Sequence, residues 1–321
     1  MNSQTATHSG ERGHFPARGH RPRAGTDRVY NFFLRMVAAT FAAIVVLFVW
    51  SVVHQSLPAW SRYGLTFLTG TNWAPAEEVF GAAPLILATL ITTGVALLFA
   101  VPVGIGAALT LTFIVPPRFS HPLRSIIELL AAVPSVVYGL WGLSIIVPWM
   151  SHTVQPWLAG LTDSHGIVSG LQVGLGLPTA SLVLGIMVLP TVVAVSRDVF
   201  ANVPRDQIEG ALSLGATKSQ VLRKVVLPHA RFGVLGAVSL ATGRALGETV
   251  AVAMVIGQSP AMPHSFFSLG STLASTIAGQ YIDSSQLHLA ALGACAVILM
   301  LLTAAVNFLA RVLVRRTAEA R

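Results

Sequence analysis

One cysteine in 321 residues, Cys295, leaves no partner for an internal disulfide, and its place in an apolar run makes it a small packing residue. Charge is nearly as scarce. Asp, Glu, Lys and Arg make up 10% of the chain against 54% hydrophobic residues, and mean hydropathy is +0.71. Soluble globular domains carry about 25% charged residues, so that class is excluded. No G-x-x-x-x-G-K-[ST] run occurs, so the chain has no phosphate-cradling loop for a nucleotide. An apolar run is also missing from the first thirty or so positions, which are rich in Arg, Gly and His. Residues 1–35 therefore read as a disordered tail rather than a signal peptide. His8, His14 and His20 read there as solvated side chains, and no metal or cofactor site is expected.

What is present is a series of apolar runs, each near the roughly 20 residues that span a bilayer. They fall at Met36–Val53, Pro84–Leu109, Ile126–Val147, Thr179–Ser196, Phe232–Ile256 and Leu287–Leu309. The expectation is an all-α polytopic membrane protein with six transmembrane helices. Its parts are the tail, a first span with an external loop (36–83), a core (84–312) and a basic end (313–321). Of twenty Lys and Arg, eighteen flank alternate ends of these runs; Arg62 lies on the other side and Arg244 within a span. The positive-inside rule then puts both termini and the loop at 198–231 on the cytoplasmic side of the membrane. A net charge of +8 is topology and membrane-lipid contact, not a nucleic-acid footprint.

The loop at 198–231 is polar and full of helix signals. Pro204 opens a helix with Asp206 and Glu209 in its first turn, and Gly215 suits a left-handed end. Thr217 with Gln220 reads as a capping box for a second short helix, which Pro228 stops. The spacing of Glu209, Ala211, Gly215, Val225, Leu227 and Pro228 resembles the EAA loop of ABC-importer permeases, with Gly210 where that family often has Ala. The resemblance implies a loop that docks into a cytoplasmic ATPase subunit and passes its motion to the spans.

Arg244 and Glu248 lie within the fifth run, where a charge costs about 2.5–3.5 kcal/mol even on the lenient insertion scale. Their i, i+4 spacing puts both on one helical face, and Gly243 with Gly247 invites close approach of another backbone. Two readings stand: a self-satisfied ion pair locking helices together, or an oxyanion relay. In the relay the planar guanidinium binds phosphate oxygens and Glu248 competes for it, keeping the site weak. Thr89, Thr92 and Thr93 share a face of the second span. They either line the path or bond back to their own helix. Glu128 one turn after Arg124 reads as an anchoring pair at the interface, and Pro134-Ser135 as a kink in the third span.

The runs Arg244-Ala245-Leu246-Gly247-Glu248-Thr249, Glu128 to Gly142, Val101 to Gly106 and Asn72-Trp73-Ala74-Pro75 with Phe80-Gly81 resemble phosphate ABC-importer permeases of the PstC type. The resemblance extends from the first span to the last; Thr110-Leu111-Thr112 departs from it where many relatives have an acidic residue. It implies the type I, MetI-like permease fold and passage of inorganic phosphate along Arg244 and Glu248, with Thr89, Thr93 and Ser135 as further path residues. The implied partners are a second homologous permease of the PstA type, two ATPase copies and an extracytoplasmic phosphate-binding protein. The permease itself is not an enzyme. A permease for sulfate or molybdate is the alternative. An intramembrane hydrolase using Ser135, His229 or His288 lacks a serine–histidine pair at one depth, and a sensor leaves the docking loop unexplained.

Overall fold

The computed structural model describes residues 24–161, 173–282 and 284–319. Besides a single helical turn at Thr66–Thr69, ten helices organise them: α1 Ala24–Tyr63, α2 Ala83–Phe113, α3 Pro117–Ala132, α4 Ser135–Leu158, α5 Leu177–Ala201, α6 Arg205–Ser213, α7 Lys218–Leu246, α8 Val250–Val255, α9 Leu273–Gln280 and α10 Gln286–Glu319. α1, α2, α5, α7 and α10 are each long and apolar enough to cross a membrane, and α3 with α4, bent by 91° at a break, is a sixth if the pair is one span and not a re-entrant loop. The kink expected at Pro134-Ser135 is thus a full break. Val133 and Pro134 are both extended, and α4 restarts at Ser135.

The described residues of the first unit, 24–50, form a helix without a distinct polar face, the pattern of a span rather than a surface helix. Helix is already present at Ala24, the first described residue, so residues 24–35, expected in the tail, belong to α1. His8, His14 and His20 lie outside the described residues.

From Ser51 onward the second unit is built around α2 against α5. The sequence makes that contact with small residues: Ala88, Thr92, Ala96, Ala100, Gly104 and Ala108 recur every fourth position, giving α2 a narrow buried stripe. A Cβ on Gly104 would lie 2.7 Å from Val192 Cγ1 of α5, so the backbones approach as closely as glycine permits. α4 docks by the same device. A Cβ on Gly142 would meet Val183 Cγ2 of α5 at 2.7 Å and Val255 Cγ1 of α8 at 3.2 Å. Valine is stiff at χ1, so neither wall yields easily. Gly142→Ala is expected to cost about 1–3 kcal/mol through overpacking. Thermal melting of the detergent-solubilised protein should show a lowered Tm.

In the segment expected as an external loop there is a short hairpin with two-residue strands, β1 Trp73–Ala74 against β2 Val79–Phe80. Aromatic burial accounts for it: Trp73 and Phe80 sit 5.1 Å apart within a cluster that includes Phe67, Leu85, Leu273, Ala291 and Cys295. Gln280 Oε1 ties the hairpin down, accepting from Trp73 Nε1 at 3.0 Å and lying 3.0 Å from His288 Nε2. His288 also stacks on Phe80.

Candidate functional site

The fifth predicted run is not one helix. Its α7 part ends at Leu246, Gly247 caps it, and the chain restarts as α8 at Val250. Two glycines in one turn, Gly243 and Gly247, weaken the helix where it ends. This break corrects the same-face expectation for Arg244 and Glu248. Arg244 occupies the last turn of α7, where free carbonyls and the macrodipole favour a cation. Glu248 lies in the break itself, and its Oε1 accepts from the Ala251 N–H of α8 at 3.2 Å.

The two are not an ion pair among the described residues. Arg244 instead donates from Nη1 to Thr191 Oγ1 of α5 at 3.0 Å, and its residue is half-buried. The self-satisfied pair predicted as one alternative is therefore absent, and so is direct competition by Glu248 for the guanidinium. Nor does any described backbone close over Gly243, where an added Cβ would meet nothing within 4 Å. The close approach foreseen there occurs at Gly139, whose Cβ would lie 3.0 Å from Ala251 Cα of α8. Sequence reasoning missed Thr191; its only signal was a hydroxyl after a proline in an apolar run.

The remaining path candidates divide. Thr89 is buried, donates to Leu85 O at 2.7 Å and accepts from the Leu273 N–H of α9 at 3.0 Å. Thr92 donates to Ala88 O at 2.7 Å. Thr93 is buried on the same helix. Ser135 is half-buried as the first residue of α4, directly after the break. One turn on, the Tyr138 hydroxyl donates to Leu130 O at 2.9 Å and so braces the bend.

At the other end of α7 lies the predicted docking loop. α6 starts at Arg205 with Pro204 as its cap, so Asp206 is in the first turn and Glu209 falls just beyond it. Gly215 takes φ +83°, the Gly215 N–H bonds Leu212 O at 2.9 Å and the Ala216 N–H bonds Ala211 O at 3.1 Å. These are the two bonds of a Schellman end, and Ala211 supplies one of its carbonyls. The capping box forms both ways: Thr217 N–H to Gln220 Oε1 at 2.8 Å and Gln220 N–H to Thr217 Oγ1 at 3.3 Å.

Pro228 does not stop the second helix, contrary to expectation. The turn before it widens to i→i+5 bonding, with Leu227 N–H on Leu222 O, which accommodates the ring. α7 therefore runs unbroken from the capping box to Arg244, roughly 40 Å at 1.5 Å per residue. Leu214, 90% exposed, and Leu212, 43% exposed, project from the loop, while Ile208 and Ala211 pack against the buried cluster that holds Val221 and Val226. Nearby, Arg124 Nε pairs with Glu128 Oε1 at 2.8 Å as expected, and Arg197 Nη2 of α5 adds a longer contact at 3.7 Å.

With this geometry in view, similarity to known proteins is specific. Residues 100–319 match the family described as "Binding-protein-dependent transport system inner membrane component". The chain is 40% identical over 293 residues to the "Phosphate transport system permease protein PstC" of Haemophilus influenzae, covering 90% of this chain and 92% of that one. It is 42% identical over 290 residues to the protein of that name from Pasteurella multocida, covering 89% of each. Among solved structures, an inward-facing MetNI methionine ABC transporter chain superposes with TM-score 0.55 at 19% identity, covering 72% of this chain and 94% of that one. A chain of a bacterial ABC transporter involved in alginate import superposes with TM-score 0.54 at 15% identity, covering 90% of this chain and 99% of that one. The fold is that of ABC-transporter permeases. The chain belongs to the family of inner-membrane components of binding-protein-dependent transport systems.

Proposed function

We propose that this protein is the permease subunit that conducts inorganic phosphate in an ATP-driven importer. The observation that carries the reading is Arg244: a half-buried guanidinium at the end of a broken span, held by a neutral hydroxyl and not neutralised by a carboxylate among the described residues. Four of its five N–H donors are left for an oxyanion. The names of the relatives from Haemophilus influenzae and Pasteurella multocida support phosphate as that anion.

Glu248 then acts at second hand. Its negative charge, spent on the N–H of Ala251, lies in the same break and lowers the site's net attraction for an anion, so that cargo leaves. Ser135 and Thr93 are further path residues in this reading. Thr89 has its proton and one acceptor position engaged inside the chain, and its part is to brace α9.

α6 and the Schellman turn are the surface for a cytoplasmic ATPase, with Leu214 and Leu212 as its apolar contacts and α7 as the rod that carries loop motion to Arg244. Two ATPase copies, a second homologous permease and an extracytoplasmic phosphate-binding protein complete the assembly. Both termini are cytoplasmic by the distribution of Arg and Lys. ATP hydrolysis belongs to the separate ATPase, not to this chain.

The test is uptake by the reconstituted complex in proteoliposomes. ATP-dependent accumulation of radiolabelled phosphate, unaffected by excess sulfate or molybdate, is the expected result. Accumulation of sulfate or molybdate in place of phosphate would overturn the choice of anion.

A further inference from the structure

We propose that Thr191 is a second anion-binding residue of the path, its hydroxyl donating to the same oxyanion that Arg244 holds. The proposal rests on the reading of Arg244 as a phosphate-path residue and adds a donor that no spacing or motif singles out.

A helical threonine in an apolar span ordinarily spends its proton on the carbonyl four residues back. Thr89, Thr92, Thr242 and Thr303 all do so here, at 2.7–2.9 Å. Thr191 does not. Its one hydrogen bond among the described residues is the one it accepts from Arg244 Nη1 at 3.0 Å. Because the guanidinium can only donate, the lone pair of Thr191 Oγ1 is the acceptor and its O–H still needs a partner. A hydroxyl polarised by a cation is a better donor than a free one, and a bond from it to a charged oxyanion is of the stronger kind.

Position supports the same conclusion. Thr191 directly follows Pro190, which supplies no N–H to the preceding turn of α5, so backbone polar groups there are already incompletely paired. Thr191 is half-buried while its neighbours Pro190, Val192 and Val193 are buried, so it borders the accessible side of α5. The side chain thus joins two helices: Arg244 arrives from the end of α7, Thr191 from the middle of α5. An oxyanion in front of both would be gripped by a fixed charge and a neutral donor at once. Motion of α7 against α5 would separate the two donors and release it.

The experiment compares Thr191→Val, Thr191→Ser, Thr191→Ala and Arg244→Gln in the reconstituted complex, with complex yield and phosphate uptake measured for each. Val keeps the bulk and loses the hydroxyl; Ser keeps the hydroxyl and loses a methyl. The expected result is normal assembly throughout, with uptake at subsaturating phosphate reduced about tenfold or more in Val and largely retained in Ser. If Val fails to assemble, the Ala and Ser pair, which differ only by the oxygen, gives the same comparison. Normal uptake in Val or Ala, or Ser no better than they are, assigns Thr191 to packing and overturns the proposal. Failure of the underlying reading looks different: Arg244→Gln would then transport phosphate normally whatever Thr191 does.

Discussion

Arg244→Gln is expected to abolish phosphate uptake while leaving the complex assembled. Glutamine keeps a polar amide and leaves no buried charge unpaired, although it ends short of the Nη1 position that bonds Thr191 Oγ1 at 3.0 Å. What disappears is the fixed charge and the planar fork. Losing one partner of a desolvated, hydrogen-bonded charge contact costs about 2–5 kcal/mol, which is roughly thirtyfold or more in flux. Arg244→Lys should also transport poorly, because a compact ammonium cannot bond Thr191 and present two parallel donors to an anion together. Glu248→Gln is the informative partner variant. Since Glu248 bonds the Ala251 N–H rather than Arg244, an amide oxygen can replace it and assembly should be normal. A slower phosphate release step is expected from the lost negative charge. Phosphate flux and complex yield measured side by side check all three, and undiminished flux in Arg244→Gln would end the role assigned to this residue.

Much of this arrangement is legible in the sequence because membrane proteins announce their spans by composition. The six apolar runs, the Arg-rich flanks and the helix signals around Thr217 and Gln220 each act locally, so a local reading finds them. The parts that escaped it depend on competition between local rules and tertiary surroundings. Gly247 and Thr249 interrupt a run whose apolarity alone says helix. The break becomes favourable only because Glu248 supplies an acceptor for α8 and Gly139 lets α4 pack against it. Pro228 failed as a stop signal because the preceding turn widened, and a wider turn has no signature in residue type. The Thr191–Arg244 bond joins positions 53 residues apart, so no spacing rule could name it. Thr89 shows the converse: its back-bond was one of two open readings, but its second bond, to Leu273, needed the fold.

Gly215→Val is expected to uncouple ATP hydrolysis from transport. At φ +83° the residue is in the left-handed region, where a β-branched side chain costs about 1–3 kcal/mol. The site separates backbone strain from packing, because an added Cβ there would meet nothing within 4 Å. Relief of the strain requires Gly215 to leave its conformation, and the bonds to Leu212 O and Ala211 O go with it. α6 would then lose its fixed end and its angle to α7, and Leu214 would no longer be presented as it is. The loop lies outside the apolar spans, so insertion and folding of the membrane part should persist. ATP hydrolysed per phosphate transported is therefore expected to rise severalfold in the reconstituted complex. Gly215→Asn supplies the control, since asparagine tolerates the left-handed conformation and should keep most of the coupling. Full coupling in Gly215→Val would mean that motion reaches α7 without the Schellman turn, through the packing of Ile208 and Ala211 against the cluster that holds Val221 and Val226.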